Sequence, residues 1–277
     1  MKISILGYGI FGSAISSSLS SVGNIIYKEE IKDSDAILVA VPSFAVVDVL
    51  LSHKNEIASQ KIIICSKGFS KNGELFSEVL KKEFPNNHIY FMYGPTLAEE
   101  LNSEMFSVIV LAGGEGKEEL KRQIESKYFR VLLSDDVVGV QLGAALKNTV
   151  NIFIGIAEGA GFGQNTQALI YSIGLKEIQK VGVFLGANQD TFIGPSCAGD
   201  LFVRSRSRFL GIEIGKGGSY EELSKDIKYP QEGIAALKNI LKINNENLDL
   251  SFFSLIHSVI FEKIPVKEAI DKLANNI

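Results

Sequence analysis

The chain has 277 residues, 46% hydrophobic and 22% charged, which excludes a disordered or repeat protein and allows two compact domains with a sizeable core. A net charge of −4 and a pI near 5.6 leave no global basic field, which excludes nucleic acid and anionic membrane surfaces as partners. Any anionic ligand must therefore be held by a local cluster of Lys and Arg.

The chain opens with MKISILGYGIFGSAISS, whose lysine, apolar run and small residues have the ingredients of a secretory signal. Gly7, Gly9 and Gly12 interrupt that run as G-x-G-x-x-G, after an expected strand at 2–6 and at the opening of an expected helix at 10–21. Glycines so placed permit a tight turn, a close approach of backbone to a pyrophosphate and tight packing of helix on sheet. The positive end of the helix dipole then faces the phosphates. Further strands are expected at 25–27, 36–40, 61–66, 89–93, 107–112 and 129–133, alternating with helices at 45–53, 75–83, 97–101 and 117–127. This is the βαβ pattern of an α/β fold with a parallel, Rossmann-type sheet, over residues 1–135.

Glu29 and Glu30 follow the second expected strand, about where a dinucleotide fold places the carboxylate that holds the adenosine ribose, and Lys28 stands beside them. Carboxylates favour the ribose diol of NAD, whereas a cation suits the extra phosphate of NADP; a solvated charged turn accounts for the same residues. Two buried strands then deliver Val41-Pro42-Ser43 and Ser66-Lys67-Gly68 to the carboxyl edge of the sheet, where ligands bind in open α/β folds. A third supplies Gly94-Pro95-Thr96.

After Asp135 long apolar stretches with helical spacing dominate, at 137–158, 165–186, 197–215, 219–226, 231–242, 248–262 and 265–275, the pattern of an all-helical second domain over residues 136–277. Residues 137–157 carry one charge, Lys147, and approach the length of a membrane span. Gln141, Lys147, Asn148 and Asn151 would all need partners in lipid, so a helix buried within a soluble, cytoplasmic protein is expected instead. An ammonium in such a helix requires a partner or a wet cleft. Asp200 can pair with it, and Arg204, Arg206 and Arg208 suit bidentate recognition of phosphate. Cys65, Cys197 and the scattered histidines form no disulfide framework or metal-ligand spacing, so no metal is expected.

Several of these segments occur together, in fixed order, in one family. They are the glycine loop, VPS at 41–43, SKG at 66–68, YGPTLAEE at 93–100, GVQLGAALKN at 139–148, GFGQNTQALI at 161–170, AGDL at 198–201 and QEG at 231–233. On them the chain resembles the bacterial NAD(P)-dependent glycerol-3-phosphate dehydrogenases over nearly its whole length. The resemblance implies hydride transfer between NAD or NADP and a small-molecule substrate, interconverting dihydroxyacetone phosphate and sn-glycerol 3-phosphate for glycerophospholipid synthesis. A homodimer is the candidate assembly.

Carried over by position, Gly7, Gly9, Ile10, Phe11, Gly12, Ala98 and Glu232 would contact the cofactor. Lys67 would touch cofactor and substrate, with Gly94, Thr96, Asn148, Asp200 and Ser207 on substrate positions. Lys147 matches the general acid/base, and Arg208 the arginine for phosphate and cofactor. The chain departs from the family in a shortened segment after Tyr27, and in Phe209 where the family has Asn after Ser-Arg. Arg204 or Arg206 is then a candidate to share the phosphate. Two rivals fit the same glycine loop: a hydroxyacid or ketopantoate-type dehydrogenase of similar build, and a non-catalytic nucleotide-sensing Rossmann protein. The arginine cluster favours a phosphate over a lone carboxylate, and an intact Lys147 and Asp200 speak against a mere sensor.

Overall fold

The computed structural model describes residues 1–31, 33–226, 231–243 and 248–275. Runs rich in Ile, Val and Leu become seven strands: β1 (Lys2–Leu6), β2 (Ile25–Lys28), β3 (Ala36–Val39), β4 (Lys61–Ile64), β5 (Ile89–Tyr93), β6 (Ser107–Gly113) and β7 (Phe129–Ser134). They lie in one sheet in the order β2-β1-β3-β4-β5-β6-β7. Helices α1 (Ile10–Ser21), α2 (Val46–Ser52), α3 (Phe76–Glu83), α4 (Ala98–Asn102) and α5 (Lys117–Ile124) connect them. Continuous apolar strands such as β3, buried at all four positions, need cover on both faces. Ala14, Ile15 and Leu19 of α1 supply it on one face, Val46, Leu50, Phe76 and Leu80 of α2 and α3 on the other.

The expected parallel sheet needs one correction, because β5 and β6 pair antiparallel, Tyr90 opposite Gly113 and Tyr93 opposite Val110. A parallel return requires a crossover long enough to run back along the strand. Between β5 and β6 the helix is the five-residue α4, only about 7.5 Å long at 1.5 Å per residue. The chain therefore re-enters the sheet from the edge it left. The link from β2 to β3 carries no helix among its described residues, and Ile31, 7% exposed, fills the space beneath it against the α2 face of the core.

Beyond the sheet come α6 (Val137–Gly159), α7 (Gln164–Phe184), α8 (Asp200–Phe202), α9 (Arg206–Gly215), α10 (Tyr220–Leu223), α11 (Glu232–Ile240), α12 (Ser251–His257) and α13 (Val266–Asn275). Asp136 starts α6, its Oδ1 accepting from the backbone N–H of Gly139 at 2.8 Å. Among the described residues α6 is the one helix long and apolar enough to cross a membrane, and 89% of its apolar window is buried inside the protein. Its face packs with Ile170 and Ile178 of α7, Leu237 of α11 and Phe252 of α12. Gln141 finds its partners in Ser77, accepting from the backbone N–H and donating to Oγ.

The continuous helix expected over 197–215 is broken. Val203 is extended (φ −69°, ψ 132°), and Ser205 is extended (φ −91°, ψ 167°) before α9 begins. The break lets α9 lie on α6 backbone to backbone: a Cβ on Gly155 would overlap the carbonyl oxygen of Arg208, and one on Gly211 that of Ile152. Apolar periodicity records both helices but not the three-residue re-aiming between them.

Candidate active site

β1 ends in the glycine loop, and the loop is built as its spacing requires. Gly7 has φ +94°, a conformation that favours glycine. A Cβ there would lie 2.6 Å from the Ala40 backbone, and one on Gly12 would overlap the carbonyl oxygen of Gly7. Gly9 differs: a Cβ on it meets nothing within 4 Å, so its bareness serves no internal packing and leaves the backbone open to a ligand. Ile10, 65% exposed, and the half-buried Phe11 follow at the start of α1, whose first N–H groups have no partner within the helix. These features suit the diphosphate of a dinucleotide.

Glu29 turns back to this loop from the end of β2. Its carboxylate accepts from Tyr8 N at 2.7 Å and Gly7 N at 3.2 Å, and its own φ is +55°. Lys28 lies with Nζ 4.3 Å from the centre of the Tyr8 ring. The carboxylate is therefore the group of this pair fixed on the loop.

The carboxyl ends of β4 and β5 meet the helical region at Asp200. Lys67 donates to Asp200 Oδ2 at 2.6 Å and to the carbonyl oxygen of Gly94 at 3.0 Å. Lys147, in mid-α6, lies 3.2 Å from Asp200 Oδ1, and the side chains of Lys147 and Asp200 are each 4% exposed. One carboxylate thus divides its oxygens between two ammonium groups. Burial pulls the Lys147 pKa down to about 8; Asp200 opposes that fall and Lys67 adds to it.

The turn around Asp200 is held to α6 by two side chains one helical turn apart. Lys147 Nζ reaches the Asp200 carbonyl oxygen at 3.4 Å, and Asn151 Nδ2 donates to that of Leu201 at 3.2 Å. Gly94 is buried and Thr96 is half-buried at the corner after β5, where the Thr96 hydroxyl donates to Gly94 O at 3.3 Å. Ala98 opens α4 beside them.

Glu232 sits on the other side of this edge. A Cβ on Gly68 would lie 2.9 Å from Ser43 Oγ and 3.8 Å from Glu232 Cγ. Burial holds the Glu232 carboxyl above its ordinary range, partly offset by the N–H of Ser43. Thr149 donates to Gly233 O at 2.6 Å, which ties this end of α11 to α6 next to the buried Asn148.

The structure therefore gathers Lys67, Gly94, Asp200 and Lys147 into one hydrogen-bonded cluster. Arg208 is not bonded to it. Its guanidinium is held by Glu158 and Gln167, while Ser207 beside it is buried. Sequence reasoning missed Glu158, although it is the first charge after the apolar run of α6 and stood as a signal there.

The descriptions of matching family models read NAD-dependent glycerol-3-phosphate dehydrogenase N-terminus for residues 25–118 and C-terminus for residues 136–271. A glycerol-3-phosphate dehydrogenase (NAD(P)+) of Thermoanaerobacter sp. (strain X514) is 32% identical, over 99% of this chain and 96% of that protein. Among solved structures, glycerol-3-phosphate dehydrogenase from Coxiella burnetii superposes with a TM-score of 0.90 at 24% identity, covering 99% of this chain and 98% of that one. A PanE/ApbA family ketopantoate reductase from Ralstonia eutropha, the rival build, reaches a TM-score of 0.57 at 13% identity over 99% of this chain and all of its own. Models of one family match both the sheet and the helices, and a relative aligns along nearly the entire length, so the chain belongs to the NAD-dependent glycerol-3-phosphate dehydrogenase family.

Proposed function

We propose that the protein interconverts dihydroxyacetone phosphate and sn-glycerol 3-phosphate with NAD or NADP as hydride carrier, supplying glycerol phosphate for glycerophospholipid synthesis. The observation that carries this reading is the Lys67–Asp200–Lys147 cluster, set at the sheet edge that also bears the glycine loop. Residues 1–135 form the dinucleotide domain in this reading and 136–277 the catalytic one.

Gly7, Gly9, Ile10, Phe11 and Gly12 would hold the diphosphate, and Ala98 and Glu232 the rest of the cofactor. The bare Gly9 and the exposed start of α1 fit that group. When bound, the nicotinamide supplies the hydride for C2 of the three-carbon phosphate. Lys147 gives a proton to the C2 oxygen in reduction and takes it back in oxidation. A pKa near 8 leaves both protonation states accessible at neutral to mildly alkaline pH, as a reversible acid/base requires. Asp200 orients Lys147, while Gly94, Thr96, Asn148 and Ser207 line the substrate.

Arg208, with Lys67, would read the phosphate. Arg208→Ala should then cost far more with dihydroxyacetone phosphate than with unphosphorylated dihydroxyacetone; equal losses would reassign Arg208 to cofactor or structure. The activity itself is tested by NADH and NADPH oxidation with dihydroxyacetone phosphate, and its absence with both cofactors refutes the reading. A soluble, cytoplasmic homodimer completes the proposal, to be checked by cell fractionation and light scattering.

A further inference from the structure

Glu158, at the end of α6, divides its carboxylate between two guanidinium groups. Oε1 accepts from Arg204 Nη2, and Oε2 accepts from Arg208 Nε at 2.9 Å. Gln167, near the start of α7, adds a third hold, its Oε1 accepting from Arg208 Nη2 at 2.5 Å. The Arg208 side chain is 17% exposed and that of Glu158 26%. Arg204 is steadied separately, its guanidinium carbon 5.4 Å from the centre of the ring of Phe209. An arginine has five N–H donors; among the described residues Glu158 and Gln167 take two of those on Arg208, and the others remain for a ligand.

We infer that Glu158, assisted by Gln167, is a positioning residue for Arg208, fixing the plane in which its remaining donors meet a phosphate; the inference rests on the function proposed above. Two effects of the carboxylate oppose each other. Its charge repels a phosphate dianion, but that repulsion acts through the edge of a protein and is screened over about 8 Å at physiological salt. Its hydrogen bonds take away the rotamer freedom of Arg208 before the ligand arrives, a cost otherwise met on binding. They also let Arg204 and Arg208 lie side by side without an unbalanced repulsion. Positioning outweighs repulsion here because the hold is direct and double, at 2.9 and 2.5 Å, and bidentate phosphate recognition depends on the orientation of the guanidinium fork.

The test uses Glu158→Gln, which keeps the shape and one acceptor, and Glu158→Ala, which keeps neither. Glycerol 3-phosphate and glycerol are titrated calorimetrically into the wild type and both variants loaded with reduced cofactor, which cannot oxidise them, and steady-state rates are measured with dihydroxyacetone phosphate and dihydroxyacetone. Glu158→Ala should weaken glycerol 3-phosphate binding roughly tenfold, the worth of one misplaced charge-assisted hydrogen bond. It should raise KM for the phosphorylated ketone alike, with kcat little changed, and Glu158→Gln should fall between. Glycerol and dihydroxyacetone should respond little. Tighter glycerol 3-phosphate binding in Glu158→Ala, unchanged binding, or equal losses on phosphorylated and unphosphorylated ligands would each overturn the inference. Failure of the wild type to bind glycerol 3-phosphate would instead sink the proposed function on which it stands.

Discussion

Lys147 Nζ stands 3.2 Å from Asp200 Oδ1 with both side chains closed to solvent, a pairing across 53 residues of sequence. An ion pair this deep is weak evidence for stability, since desolvating two charges offsets much of their attraction. Its proposed use is chemical. Lys147→Met should lower turnover by ~10²–10⁴-fold, the usual contribution of a general acid/base, with cofactor affinity little changed. Steady-state rates and thermal melts on one preparation separate the roles: a stable variant with near wild-type turnover removes Lys147 from the mechanism.

The direction of the Lys147 shift fixes the sign of the pH dependence. Neutral lysine accepts the proton in oxidation, so kcat for glycerol 3-phosphate should rise with pH around a midpoint near 8, and the reductive rate should fall there. Lys67 adds to the lowering, so Lys67→Met should move both midpoints upward. For stability, burial penalises the charged lysine fully below about pH 8, and that penalty fades as pH rises from there toward the ordinary 10.5. A pH–rate profile unmoved by Lys67→Met would contradict the shared-carboxylate account.

Gly9 has φ −76°, which valine adopts freely, and a Cβ there meets nothing in the protein. Gly9→Val should therefore fold with an unchanged melting temperature and lose NADH and NADPH binding. Calorimetric titration of both cofactors checks this, and intact affinity in the folded variant would remove the loop from cofactor binding.

Glu29 is anchored on the glycine loop by Gly7 N and Tyr8 N, while Lys28 leans on Tyr8. With an acid and a base both at hand, NADH and NADPH should differ modestly in KM. Glu29→Gln should shift the ratio toward NADPH by about tenfold, ~1.4 kcal/mol, by removing the charge that opposes a 2′-phosphate. A wild-type preference of many hundredfold for either cofactor would contradict this picture.

Glu177 of α7 gives one carboxylate oxygen to Phe252 N at 3.0 Å and the other to Phe253 N at 2.8 Å, holding the start of α12. Burial pushes its pKa up to about 7 from an ordinary 4.5, against the pull of those two N–H groups. A raised carboxyl contributes stability that is complete below about pH 4.5 and lost as pH climbs through about 7. The melting temperature of wild type minus that of Glu177→Gln should fall across that window and level off above it; a flat difference would show that Glu177 does not titrate there.

The strands, the glycine loop and Lys147 were legible because each leaves a local mark: an apolar run, a fixed glycine spacing, one charge in 21 residues. Strand direction is not recorded in the apolar runs themselves, so the reversal at β6 was missed although the short helix expected at 97–101 was its one local sign. The break at Val203–Ser205 left no such mark, because neither Gly nor Pro interrupts the chain there. Pairing across long separations was only partly readable. Asp200 could be matched to Lys147, yet nothing local says that Lys67, 133 residues away, takes its other oxygen. Glu158 and Gln167 escaped because their partner Arg208 is brought to them by helix packing alone.

The bare contact between α6 and α9 also makes the site a gauge. Gly155, which meets the backbone of Arg208, lies eight residues beyond Lys147 on α6, about 12 Å along the axis at 1.5 Å per residue. On the proposed roles, the reacting carbon and the phosphate of a substrate are gripped from the two ends of that interval by side chains alone. The helices cannot slide to suit a longer or shorter molecule, because carbonyl oxygens already rest on the glycine Cα atoms. On those proposed roles chain length in the substrate would be measured against this interval, and a larger residue at 155 or 211 would have to push α9 off α6 and disturb it.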